Sequence, residues 1–174
     1  MIGSLILALL GWAASASPEQ AIHLAALVVG RPDLGAELVK ICRAESGGCR
    51  ALGAHGTRHN PPGERYYAAG RRSGRVRPAE CPETHGPATA AAWGPRGPLG
   101  LAAAYHAFRV HPCAPAEIVD WPIVSAALGL AHLLELERRG FCSPRARRAA
   151  WRSGIAGARD HRCRARLDRV ARRD

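Results

Sequence analysis

The chain has 174 residues, 47% of them hydrophobic and 22% charged, with 19 glycines and 13 prolines. That length and balance suit one domain, or two small ones, and exclude both a wholly disordered chain and a multispanning membrane protein. The formal charge is +11, yet Lys40 is the one lysine among 25 basic residues. A skew this complete points to a GC-rich genome and weakens basicity as a sign of nucleic-acid binding.

Residues Met1 to Ala16 read MIGSLILALLGWAASA. The run from Leu5 to Ala14 is nearly all apolar, and Ala14-Ser15-Ala16 is a small-x-small pattern. We read residues 1–16 as a secretory signal peptide cleaved before Ser17, although no Lys or Arg precedes the apolar run. The alternative is an uncleaved anchor, for which the run is short. Residues 17–174 then form one exported domain, in the periplasm or outside the cell. The cysteines Cys42, Cys49, Cys81, Cys113, Cys142 and Cys163 agree with export, because an even number in an exported chain favours disulfides. Spacing leaves the pairing open. Cys42 and Cys49 are two turns apart if both are helical, so they can bond only if the helix ends between them. Cys49 and Cys81 are placed to staple the loop between them. The set Cys42, Cys49, His55 and His59 matches no common zinc-finger spacing, and we read neither a metal nor a cofactor. His55, His59 and His85 read as solvated loop histidines.

The rest of the chain reads as mostly helical. Pro18 to Val29 is a short amphipathic helix. Pro32 opens a second, Asp33 to about Glu45, which Ser46-Gly47-Gly48 stops. Residues 50–92 show little periodicity and read as a long irregular region, with a short helix from Glu64 to Ala69. A small β excursion fits within residues 46–97. Gly94-Pro95-Arg96-Gly97-Pro98 is a turn cluster, and a helix follows from about Leu99 to Phe108. Asp120-Trp121-Pro122 opens the most apolar helix, Ile123 to Arg139. Its Val124, Leu128, Ala131 and Leu134 are spaced to face the core, widened by Ile123, Ala127, Leu130 and Leu133. Ser143-Pro144 starts a helix through Trp151, and Asp160 to Arg173 reads as a basic helix.

One carboxylate stands apart. In the second helix the apolar stripe runs Leu34, Leu38, Ile41, and its next position is Glu45. Burial and the negative end of the helix dipole both disfavour a charged carboxylate there. A carboxyl kept protonated is what a general acid needs. Ser46-Gly47-Gly48 opens the backbone beside it for a ligand. The competing reading is a last-turn Glu that reaches water.

Arg43-Ala44-Glu45-Ser46-Gly47-Gly48 resembles the Glu-Ser motif of soluble lytic transglycosylases, relatives of goose-type lysozyme. Gly97-Pro98-Leu99-Gly100-Leu101-Ala102-Ala103 resembles that family's G-A-x-G-L-M-Q turn into a helix. Asp120 to Gly140 resembles its long central helix, and Ala149-Ala150-Trp151-Arg152-Ser153-Gly154 resembles A-A-Y-N-A-G. The four segments stand in the family's order and cover roughly residues 20–160. The resemblance implies a mainly α, lysozyme-like helical domain; the segment between Glu45 and Gly97 is longer than usual in the family and makes a long loop-rich insertion after the catalytic helix. It implies cleavage of the β-1,4 bond between N-acetylmuramic acid and N-acetylglucosamine of peptidoglycan, giving a 1,6-anhydro product. Glu45 would serve as acid and then base. Ser46, Gly97, Gly100, Leu101, Ala103, Trp151 and Arg152 would line the substrate site. The family's sugar-contacting Gln is Ala103 here, its Met is Ala102, and its Tyr-Asn pair is Trp151-Arg152. Trp93 and Tyr105 are candidates for the cleft, with core packing an equal or better reading of each, and the Tyr66-Tyr67 pair of the loop is a further cleft candidate.

The implied partner is the glycan strand of peptidoglycan, bound by a monomer without specific nucleic-acid recognition. Thirteen arginines lie between Arg138 and Arg173, which suits either peripheral attraction to an anionic envelope surface or a solvated face. A catalytically weak, peptidoglycan-binding or structural envelope protein of the same fold is the alternative. A basic nucleic-acid-binding protein would need the signal peptide to be wrong.

Overall fold

Ser17 starts the first helix. Its hydroxyl accepts from the Gln20 N–H at 3.3 Å, and the Gln20 side chain accepts from the Ser17 N–H at 2.8 Å, so the cap satisfies donors that a helix start leaves open. The computed structural model describes residues 16–50 and 62–157. Residues 1–15, His55, His59, Cys163 and the basic C-terminal segment lie outside these. The described chain is mainly helical and divides into two units, up to Gly129 and from Leu130 on.

In the first unit, α1 (Pro18–Val28) packs on α2 (Pro32–Glu45). Ala21, Ile22, Ala25 and Ala26 of α1 and Leu34, Leu38 and Ile41 of α2 are buried. The Arg43 guanidinium grips the Glu19 carboxylate with two bonds of 2.8 Å, tying the end of α2 to the start of α1. The expected stop of α2 is observed. The Ser46 N–H donates to the Cys42 carbonyl and the Gly48 N–H to the Arg43 carbonyl, with Gly47 in the left-handed region. The chain doubles back there, and Cys49 meets Cys42 in a disulfide with a Cα–Cα distance of 4.9 Å.

The region expected to be irregular holds more structure than its sequence suggested. It contains α3 (Gly63–Arg72), α4 (Pro82–His85) and a 3₁₀ helix, Pro87–Trp93. Of the pairings that the spacing leaves open, the Cys49–Cys81 staple is not formed, because Cys49 is taken by Cys42; Cys81 pairs with Cys113 instead. His85 is not solvated. It is fully buried, with its ring edge-on to Trp93 at 4.7 Å. The Arg77 N–H donates to its Nδ1 at 2.8 Å, so Nε2 carries the proton and donates to the Ala114 carbonyl at 3.1 Å. Tyr67 donates to the His85 carbonyl at 2.8 Å.

The helix expected from Leu99 is shorter. Two-residue strands β1 (Pro95–Arg96) and β2 (Leu101–Ala102) pair antiparallel, with Arg96 opposite Leu101. The helical turn α5 (Ala103–His106) follows, then 3₁₀ turns Ala107–Arg109 and Ala116–Asp120. The glycines at 97 and 100 prefer the left-handed turn they occupy, and this converts the first part of the expected helix into a hairpin. The small β element thus lies at 95–102, reaching past the expected 46–97.

Helix α6 (Pro122–Arg138) buries the expected Leu128, Leu130 and Leu133, but its buried face is turned partly away from the expected stripe. Ser125, Ala126, Leu130, Leu133 and Leu136 are its most buried residues, whereas Val124, Ala131 and Leu134 are half-buried and Ala127 is exposed. A helix apolar on most sides carries no clear stripe, so small residues decide the contact. A Cβ on Gly129 would lie 2.6 Å from Leu99 Cδ1 and 3.0 Å from Leu38 Cδ2. In the second unit, α7 (Pro144–Gly157) is capped by Ser143, whose hydroxyl accepts from the Ala146 N–H. Arg147 is buried and donates to Glu137 at 2.9 Å and to the carbonyls of Phe141 and Cys142.

Candidate active site

Glu45 is the last residue of α2 and is half-buried. It continues the stripe of Leu34, Leu38 and Ile41, but the stripe reaches the surface at this point. Glu37 lies on the same stripe and is more deeply buried, at 6% exposure. The helical spacing that singles out Glu45 also reaches Glu37, which the sequence reading passed over.

Four features hold the end of α2. The Ser46 hydroxyl donates back to the Cys42 carbonyl at 2.9 Å, and Ser46 is buried. The Cys42–Cys49 bridge closes the backbone around Glu45 and Ser46. Cys42 Sγ sits 3.3 Å from the Pro98 carbonyl oxygen of the hairpin turn. The turn itself lies against the carboxyl: a Cβ on Gly100 would be 3.6 Å from Glu45 Oε2 and 3.7 Å from Glu45 Cβ. The Glu-Ser segment and the Gly97–Ala103 segment are therefore brought together, 50 residues apart in sequence.

The hairpin is fixed from its other side. A Cβ on Gly97 would overlap the Val119 carbonyl oxygen, so only glycine fits against that 3₁₀ turn. Arg96 is buried, with its Nε 2.9 Å from Asp120 Oδ1 and its second terminal nitrogen 2.5 Å from Oδ2. Its remaining terminal nitrogen donates to Glu117 and to the Ala92 carbonyl, each at 3.1 Å. Burial pulls the guanidinium pKa down, but Asp120 and Glu117 more than offset this and raise it. This charged clamp was not read from the sequence, because its partners lie 21 and 24 residues away.

The other sequence-derived site residues differ in setting. Gly97, Leu101 and Ala103 are buried in the first unit, while Gly100 is half-buried. Ala103 is fully buried, and its methyl packs inside. Trp151 is half-buried in the second unit, edge-on to His132 at 5.1 Å, and Arg152 is exposed there. Trp93 is core, at 1% exposure, and donates to Thr89. Tyr67 is buried, and its hydroxyl is used by the bond to the His85 carbonyl. Tyr66 packs edge-on to Tyr105 at 6.0 Å, and burial, with Tyr105 second, pushes its phenol pKa up. Tyr105 is exposed, with the Arg75 guanidinium 5.4 Å from its ring centre and 5.6 Å from that of Phe108. Among the described residues no group of His, Cys, Asp or Glu is arranged to hold a metal, and no helix is long and apolar enough to cross a membrane.

The chain matches no protein-family model, no curated protein and no solved structure. Its two described disulfides suggest an oxidising, exported environment.

Proposed function

We propose that the protein is an exported lytic transglycosylase that cleaves the MurNAc–GlcNAc β-1,4 bond of peptidoglycan, with Glu45 as its acid and base. The supporting observation is the contact between a half-buried carboxyl at a helix end and the Gly97–Gly100 turn, which belong to two of the four segments that carry the family resemblance. Glu45 gives its proton to the glycosidic oxygen as the bond from C1 breaks. The substrate's N-acetyl group assists at C1. The muramoyl C6 hydroxyl then closes on C1, and the Glu45 carboxylate takes the proton that this hydroxyl releases, which restores its acid form. This needs one carboxylate, in contrast to the paired acids of most glycoside hydrolases. Asp120 and Glu117 do not compete for the role, because Arg96 engages both. The reading needs no cofactor, and its partner is the glycan strand.

The test is clearing of purified peptidoglycan sacculi by the wild type, Glu45→Gln and Glu37→Gln. Clearing abolished by Glu45→Gln and retained by Glu37→Gln supports the assignment. Clearing retained by Glu45→Gln removes it. A second reading, a catalytically weak glycan-binding or structural envelope protein, is favoured by Ala103, which is buried where the resemblance puts a sugar-contacting glutamine. Sacculus binding without clearing would support that reading.

A further inference from the structure

We propose that Arg96 is a positioning residue for Glu45, acting through the hairpin turn Gly97–Gly100. The inference rests on the glycan-cleaving reading for its kinetic arm only.

A buried guanidinium is costly unless its charge is matched and its N–H groups are used. Arg96 meets both conditions with residues from one 3₁₀ helix, Ala116–Asp120, plus the Ala92 carbonyl. A fork that grips Asp120 through two nitrogens fixes direction as well as distance. Arg96 is also a strand residue of the hairpin, paired with Leu101, and the next residue, Gly97, lies against Val119 of the same 3₁₀ helix. The turn closes with the Gly100 N–H on the Gly97 carbonyl at 3.2 Å. Its far side carries Pro98 and Leu99 into the core and sets Gly100 against the Glu45 carboxyl. One side of the hairpin is thus pinned by charge and the other forms a wall of the site. Loosening the pin moves the wall, and so changes what surrounds the carboxyl. A residue that merely stabilised the fold would not do this selectively.

The experiment compares Arg96→Lys, Arg96→Met and Asp120→Asn with Arg147→Lys. Arg147 is the matched control, a buried, carboxylate-paired arginine of the second unit. Two readouts are taken: the ¹³C titration of the Glu45 side-chain carboxyl, and kcat and KM on peptidoglycan. The expected result is a changed Glu45 titration and a kcat lowered about ten- to a hundredfold with KM nearly unchanged, the size of loss that a misplaced reacting group produces. Lysine should restore only part, since it keeps the charge and loses the fork. Arg147→Lys should lower the melting temperature and leave the Glu45 titration alone. Folded Arg96 and Asp120 variants with a wild-type Glu45 titration overturn the proposal, as does an equal change in Arg147→Lys. If Arg96→Met does not fold, Arg96→Lys and Asp120→Asn decide. If the wild type cleaves no glycan, the functional reading falls and the titration alone decides the role of Arg96.

Discussion

Gly100 lies against the carboxyl of Glu45, with its missing Cβ position 3.6 Å from Oε2. The contact joins a helix end to a hairpin turn, and both depend on backbone that few residues tolerate. Gly97 and Gly100 have φ of +72° and +59°, but they differ in the space around them. Gly100→Ala meets ordinary contact distances and should cost about 1 kcal/mol from backbone strain. Gly97→Ala adds an overlap with the Val119 carbonyl and should cost about 3 kcal/mol. Denaturant melts of the two variants check the order, and equal losses would contradict it.

The two described disulfides should separate stability from activity. Cys42–Cys49 spans 7 positions and Cys81–Cys113 spans 32. Loop-closure entropy assigns the shorter about 2–3 kcal/mol and the longer about 3–4 kcal/mol. Replacing Cys81 and Cys113 by serine should therefore lower the unfolding free energy more. Replacing Cys42 and Cys49 should lower glycan cleavage more, because that bridge surrounds Glu45. Paired melts and sacculus assays measure both orders.

Replacing His85 by leucine should be severe. It removes the acceptor of the Arg77 N–H and the donor to the Ala114 carbonyl in a fully buried place. Leaving the buried Ala114 carbonyl unsatisfied and the part-buried Arg77 N–H without its acceptor costs about 2–4 kcal/mol. Chemical denaturation measures the loss, and a change under about 1 kcal/mol would contradict the packing described.

Asp33, in the first turn of α2, offers a pH test. The Arg31 guanidinium grips it at 2.9 and 2.7 Å and holds its carboxyl at about 2, below the usual 3.8. A depressed carboxyl contributes stability above its unfolded pKa and loses it as pH falls through the folded value. Asp33→Asn should therefore destabilise near neutral pH, and its difference from wild type should fade between about pH 4 and pH 2. The pair is solvent-exposed, so the effect stays under about 1 kcal/mol. A difference that persists at pH 2 would show that the carboxylate charge is not its source.

The parts legible in the sequence are those set by local chemistry. Pro32 and Ser46-Gly47-Gly48 bound α2 as expected, and the helix stop is what lets Cys42 reach Cys49. The hairpin was hidden because two-residue strands leave no alternation to read, so Leu99 looked like the start of a helix. The face of α6 was legible only in part, at Leu128, Leu130 and Leu133, because apolar residues surround the helix and Gly129 marks the close contact. His85 looked solvated among polar neighbours, although its partners Arg77 and Ala114 come from either side of it in the fold. Arg96 gave no sequence signal, since its meaning depends on Asp120, brought close only by the hairpin. For the candidate site, spacing reached Glu45, and the same spacing reaches the more deeply buried Glu37 inside the helix, whereas Glu45 ends the helix beside Gly100.

The most direct measurement is mass spectrometry of the muropeptides released from purified peptidoglycan by the wild type and by Glu45→Gln. The account predicts 1,6-anhydromuramoyl ends from the wild type and none from the folded variant. Reducing ends would mean hydrolysis by water, and anhydro ends from Glu45→Gln would place the acid elsewhere; either contradicts the mechanism. No product from a folded wild type would contradict the enzyme itself.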